Sequence, residues 1–290
     1  MLTNPMFLVC VALLPAIVLC SYIFKKDRVE KEPAGLLILL FILGAVSCIP
    51  AGIIEIVAMS IADGIAEAYK DAEGVNVIYN AVNAFAIVAL TEEALKFLML
   101  YLATRKNKNF NSLFDGIVYS VFVSLGFAAL ENVLYVLDNG FANAVSRAIL
   151  SVPCHMFFAV IMGYYYSFWH MHDVAEKQEK KLMEEGIIPN GKSKFFAERY
   201  LLPAIVMPVL AHGFYDFGLF MGTVVSVLLA LAFTVFLYIY CFSRIKNVSK
   251  KDVDDITYAT QMICDKYPHV RALYQQSAQE ELQQENEVSV

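Results

Sequence analysis

Four groups of ionisable residues lie inside long apolar runs of this chain. Thr91-Glu92-Glu93-Ala94-Leu95-Lys96 is the first, and Phe127-Ala128-Ala129-Leu130-Glu131-Asn132 the second. His155 stands alone, and His212 is followed four residues later by Asp216. An ionisable side chain at the centre of a membrane span costs about 2.5–3.5 kcal/mol on insertion scales, so such residues usually turn inward and pair. Helical spacing sorts them further. Glu92 and Lys96 share a face, with Glu93 three residues from Lys96, and so do Phe127 with Glu131 and His212 with Asp216. A carboxylate one turn from a histidine can fix its tautomer or join it as a ligand. His155, Ala159 and Gly163 form a stripe whose small residues admit a close neighbour helix. Each group also has a plain alternative: an ion pair locking one helix, a clasp between two, or a hydrogen-bonded core histidine.

The elements that position these groups follow from composition. The chain has 290 residues, 59% hydrophobic and 17% charged, against roughly 45–50% and about 25% in a globular domain. That excess is too large for one soluble core. The net charge of −6 is gathered in short clusters between apolar runs, and no basic face of the nucleic-acid-binding kind exists. The six cysteines form no CxxC pair and read as small buried hydrophobes.

Candidate spans cover roughly 5–24, 34–60, 77–103, 113–137, 145–170, 200–220 and 222–243. Lys25, Lys26, Arg28 and Lys31 follow the first, Arg105, Lys106 and Lys108 the third, and Lys177, Lys180, Lys181, Lys192, Lys194 and Arg199 the fifth. Arg244, Lys246, Lys250 and Lys251 follow the last, while Lys70 and Arg147 stand alone in the alternate loops. Basic residues mark the cytoplasmic side. The expected fold is therefore an all-α polytopic transmembrane bundle of about seven spans, with the N-terminus outside and the C-terminus cytoplasmic. The first run has no basic residue before it and reads as a retained span rather than a cleaved signal.

Smaller features complete the reading. Residues 173–185 form a charged helical extension ending at Gly186, and a tight turn near Met221 and Gly222 separates the last two spans. Residues 252–274 are weakly helical, and the Gln/Glu-rich end beyond them is expected to be disordered. Pro153 and Pro208 each free a backbone carbonyl close to a histidine. Glu55 is read as reaching the interface, His170, His172 and His269 as solvated or interfacial, and Tyr164 to Tyr166 with Trp169 as an aromatic belt. Counted from the outer ends, Glu131, His155 and His212 lie about six to nine residues deep and the Glu92–Glu93 pair about sixteen, close enough for a single site.

These four clusters, in this order, resemble the PrsW family of intramembrane proteases, within the wider grouping of CAAX-prenyl and bacteriocin-processing membrane proteases. The resemblance rests on Glu92-Glu93-x-x-Lys96, Phe127-x-x-x-Glu131-Asn132, His155 and His212-x-x-x-Asp216. Lys96 where the wider grouping has an arginine, and Glu131 where it has a histidine, point to the PrsW branch. The resemblance implies a bacterial cell-membrane protease, carried by residues 1–246 and followed by a cytoplasmic tail over 247–290. Its substrate would be a membrane-anchored protein such as an anti-sigma factor.

Peptide hydrolysis needs an activated water and a stabilised oxyanion. A carboxylate withdrawn from water becomes a better proton acceptor. Glu92 or Glu93 would activate the water, and Lys96 would hold the other carboxylate. His155 and His212 would orient the water or donate to the oxyanion, with Glu131 and Asp216 positioning them and Asn132 and Phe127 in support. No cofactor is expected on this reading. The rival is a zinc site of His155, His212 and Glu131 or Asp216, although the HExxH pattern is missing. From other classes, the same residues suit a proton-coupled transporter, which usually carries internal repeats not found here, or a membrane scaffold with a structural polar core.

Overall fold

Apolar runs that must satisfy their own backbone hydrogen bonds in lipid become helices, and a computed structural model, which describes residues 4–27, 30–274 and 276, shows that outcome. The helices are α1 (Pro5–Lys26), α2 (Ala34–Ala68), α3 (Val75–Ala81), α4 (Leu90–Thr104), α5 (Asp115–Ile149), α6 (Ser151–Glu184), α7 (Leu201–Phe220), α8 (Val224–Lys250) and α9 (Asp255–Lys266). A π-helical segment, Val82–Ala89, joins α3 to α4, and a 3₁₀ turn, Ala197–Tyr200, leads into α7. Local chemistry sets several ends. Asn4 accepts hydrogen bonds from the backbone of Met6 and Phe7 at the start of α1, with Pro5 at the first helical position. Gly222, at φ +63°, makes the turn between α7 and α8, and Gly186, at φ +70°, stops the extension of α6.

Five stretches are long and apolar enough to cross a membrane: Pro5–Lys26, Ala34–Ala68, Asp115–Glu184, Ala197–Phe220 and Val224–Lys250. This differs from the expected seven for two reasons. Only Leu150 separates α5 from α6, so two expected spans merge into one 70-residue stretch. The expected third span is helical from Val75 to Thr104 but divided into pieces of 7, 8 and 15 residues.

α5 and α6 form the centre, with α1 and α2 against α5, and α7, α8 and α9 against α6. Their crossing is close because of two glycines. A Cβ on Gly163 would lie 2.4 Å from the Gly116 carbonyl oxygen and 2.6 Å from Ile117 Cα. The serines of α5 lock the contact: Ser120 donates to the Ala159 carbonyl at 2.7 Å and Ser124 to the His155 carbonyl at 2.9 Å. The stripe of small residues on α6 therefore receives α5, as its spacing foretells.

The end of the bundle that carries α9 is more ordered than its composition promises. Glu179 on α6 is fully buried and accepts from the Lys194 backbone at 2.9 Å and the Tyr267 hydroxyl at 2.8 Å. Asp252 caps the start of α5 through the Phe114 backbone N–H at 2.9 Å. Between α1 and α2, burial pushes the Glu32 carboxyl up to about 7, with the Tyr119 hydroxyl donating to it at 2.6 Å. Several expectations are corrected here. His170 is buried, stacked on Phe110 at 4.0 Å and bonded to Asp255; His172 is buried beside Arg199 and Tyr200. Tyr166 and Trp169 are core residues stacked on each other, not a belt. Their helix is the central one, so the face bearing Tyr166 and Trp169 is covered by protein, while Tyr164, Tyr165 and Phe168 stay partly exposed. The expected disordered end, 277–290, lies outside the described residues.

Candidate active site

The π-helical segment leads directly into α4, whose first turn carries Glu92 and Glu93. Wide helical turns of this kind are frequent at functional sites. Behind the two glutamates, Lys96 is wholly enclosed. Its ammonium donates to Glu92 Oε2 at 2.8 Å and to Glu93 Oε1 at 2.8 Å, stands 3.1 Å from His155 Nδ1, and lies 4.2 Å from the centre of the Phe127 ring. An ammonium has no lone pair to offer, so Nδ1 of His155 is the acceptor. The ring proton then sits on Nε2, which donates to Glu131 Oε2 at 2.9 Å. The second histidine is held similarly. His212 Nδ1 meets Glu93 Oε1 at 3.0 Å, Nε2 faces Asp216 Oδ2 at 3.3 Å, and Phe158 stacks on the ring at 4.7 Å. The two imidazoles lie 5.5 Å apart, nearly perpendicular.

Every candidate site residue except Asn132 therefore belongs to one connected cluster drawn from α4, α5, α6 and α7. Asn132 stands just outside it. Its amide donates to the Ala12 carbonyl of α1 at 2.7 Å and accepts from Arg147 Nε at 2.9 Å. Pro153 lies in the first turn of α6, and the Ile149 carbonyl it cannot reach is taken by the Tyr238 hydroxyl at 2.7 Å. The carbonyl freed next to His155 is thus satisfied.

Two participants were missed. Arg147 reads in the sequence as a solitary basic residue of an outer loop, yet its Nη2 pairs with Glu131 Oε2 at 2.9 Å. Along a straight helix the two would be about 24 Å apart. Gly140, at φ +78° and ψ −168°, breaks α5 and folds its last turns back. The signal was the Asn139-Gly140 pair, a turn dipeptide. The second is Glu55, read from the sequence only as an interfacial residue, which lines the central cavity.

That cavity has a volume of about 480 Å³. Glu55, Glu92, Glu131, Arg147, His155, His212 and Asp216 line it, along with Cys48, Cys154, Phe127 and Tyr215; Glu93 and Lys96 do not. The paired glutamates are thereby distinguished. Glu92 faces the space a substrate would enter, while Glu93 is completely buried between Lys96 and His212.

A membrane-embedded helical bundle enclosing carboxylates, imidazoles and a cavity narrows the class to a membrane hydrolase or an ion-coupled carrier. Comparison with known proteins decides between them. Residues 32–242 match the PrsW family of intramembrane metalloproteases, and the chain belongs to that family. Protease PrsW of Geobacillus kaustophilus is 34% identical over 212 residues, covering 72% of this chain and 78% of its relative. Protease PrsW of Oceanobacillus iheyensis is 31% identical over 242 residues (82% and 94%), and that of Bacillus subtilis 32% over 239 residues (80% and 91%). No solved structure matches the chain. It is an integral membrane protein of a peptidase family whose relatives are bacterial.

The family description implies a metal, and the residues can be tested against it. Ligand atoms of Glu92, Glu93 and His155 all lie within 4.8 Å of one another, a group of metal-binding size. This is not the expected zinc set, because His155 Nε2 and His212 Nε2 turn to separate carboxylates, Glu131 and Asp216. The space among the three donors is taken by the Lys96 ammonium, which contacts all of them. Two cations within one donor set repel strongly at low dielectric. In this arrangement the chain's own lysine stands where a metal would, and the donor set does not fit one unless Lys96 withdraws.

Proposed function

We propose that this chain is an intramembrane endopeptidase of glutamic type acting on a membrane-anchored protein such as an anti-sigma factor. The observation that carries the reading is the division of labour within the glutamate pair, with Glu92 lining the cavity and Glu93 sealed behind it. Glu92 takes a proton from a water in the cavity as the water oxygen attacks the peptide carbonyl carbon. The C=O π bond opens to an oxyanion, and the Nε2–H groups of His155 and His212, held by Glu131 and Asp216 in the resting site, turn toward it to donate. Glu92 then delivers the proton to the amide nitrogen, the oxyanion re-forms the C=O bond as the C–N bond breaks, and two chains leave, one with a new carboxyl end and one with a new amine end. Lys96 holds both glutamates and the His155 ring in place. Glu131, fastened by Arg147, and Asp216 position the histidines, while Phe127 and Asn132 brace the surroundings.

On the same reading the bundle crosses the cell membrane about seven times, with the N-terminus outside and the C-terminus inside. Residues 1–246 form the protease and 247–290 the cytoplasmic tail. A zinc-dependent peptidase is the second reading, which needs Lys96 to leave the Glu92, Glu93 and His155 donors.

Purified protein and a cleavable membrane-anchored substrate test both. Glu92→Gln should lower cleavage by about 10²–10⁴-fold, the usual worth of a positioned base, with membrane insertion intact. Glu93→Gln should also impair cleavage, through loss of positioning. Wild-type rates in both variants would overturn the mechanism. Activity should persist in a strong chelator and without stoichiometric metal. One zinc per chain, lost together with activity in His155→Ala, would establish the second reading instead.

A further inference from the structure

The carboxylates around the cavity differ in one respect. Glu92 is paired with Lys96, Glu131 with Arg147 and His155, and Asp216 with His212. Glu55 on α2 has no such partner among the described residues, although its Oε1 is buried. The nearby cations are committed: Lys96 to two glutamates, and Arg147 to Glu131, Asn132 and the face of Tyr135 at 4.2 Å. A carboxyl in a low-dielectric cavity either keeps its proton or needs another group to compensate its charge.

We infer that Glu55 is a specificity-determining residue that receives a basic side chain, lysine or arginine, of the polypeptide being cut; this rests on the protease reading above. Three features favour a cation over a backbone N–H. An amide would satisfy one oxygen but leave the charge, whereas an ammonium or guanidinium satisfies both. The wall beside Glu55 is apolar, formed by Met59 one turn along α2 and Val88 of the π-helical segment, and suits the methylene stem of a long basic side chain. Gly52, three residues before Glu55, also lines the cavity, and a Cβ there would meet nothing within 4 Å, so the approach is open. A substrate bearing a cation in its membrane-embedded part would thus form an ion pair with the Glu55 carboxylate on entering the site, which selects such segments over uniformly apolar helices.

The test uses the full chain in lipid nanodiscs and single-span peptides in which one lysine, or methionine as its neutral match, is walked through the outer half of the span. Binding is read by fluorescence anisotropy and cleavage separately by mass spectrometry. At one or more positions lysine should bind at least tenfold more tightly than methionine. Glu55→Gln should bring that ratio close to one. Glu55→Arg should reverse the preference, favouring glutamate at the same position, a result a merely unfolded variant cannot give. No lysine preference at any position, no measurable peptide binding, or an unchanged ratio in Glu55→Gln would each overturn the inference. Selective binding without cleavage in the wild type would instead overturn the protease reading and leave the cation subsite standing.

Discussion

Lys96 does three things at once. It compensates two buried carboxylates, it dictates which nitrogen of His155 carries the proton, and its ammonium rests on the Phe127 ring. None of these contacts reaches solvent, since Lys96 is fully buried. Removing one partner from a buried ion pair costs about 3–5 kcal/mol, because the charge left behind has no water to turn to. Lys96→Met should therefore lower the thermal midpoint in detergent markedly and abolish cleavage. Adding Glu93→Gln to Lys96→Met should recover part of the stability but not the activity. A single Lys96→Met variant that melts like the wild type would show that the ammonium does not organise the site. Lys96→Arg is no substitute, since the planar five-donor fork needs more room than an enclosed ammonium.

At the scale of elements, the site depends on helices that approach more closely or bend more sharply than regular geometry allows. Gly140 returns Arg147 to Glu131, and the π-helical segment precedes the paired glutamates. The crossing of α5 and α6 sets the distance between Glu131 and His155, and Gly163 is its tightest point. Gly163→Leu would drive a side chain into the backbone of Gly116 and Ile117. Overpacking of this kind typically costs about 1–3 kcal/mol, and more where backbone must move. The variant should lose stability and cleavage together as the two helices part. Gly35→Ala is the matched control, because a Cβ there meets nothing within 4 Å; it should change the melting temperature by no more than a degree or two. Equal behaviour of the two variants would remove the crossing from the account.

Across the whole molecule, the cavity and α9 occupy opposite ends of the bundle. His155 lies in the second turn of α6, whereas Asp255 of α9 bonds His170 well down the same helix. If α9 is cytoplasmic, as the basic loops require, the cavity opens toward the outer leaflet and receives the outer half of a substrate span. Reporter fusions after Arg105 and after Lys194 should then read cytoplasmic, and fusions at Glu73 and Asn143 extracytoplasmic. Inversion at any two of these four sites would contradict the topology and the direction of substrate entry with it.

The sequence by itself determined the class of fold and most of the site. Apolar runs of span length leave the backbone no alternative to helix, and ionisable residues inside them must pair, so Glu92, Glu93, Lys96, Glu131, His155, His212 and Asp216 were legible as one cluster. The four-residue spacing of His155, Ala159 and Gly163 likewise announced a close helix crossing. Tertiary structure alone decided which glutamate faces the cavity, because neighbours on a helix differ only by the direction in which the backbone turns them, and that was set by the packing of α4 against α5, α6 and α7. It alone recruited Arg147, since one glycine at positive φ converts a separation of sixteen residues into an ion pair. It alone turned Glu55 inward, because the apolar run 34–60, with Glu55 as its single charge, does not reveal which of its faces meets protein rather than lipid.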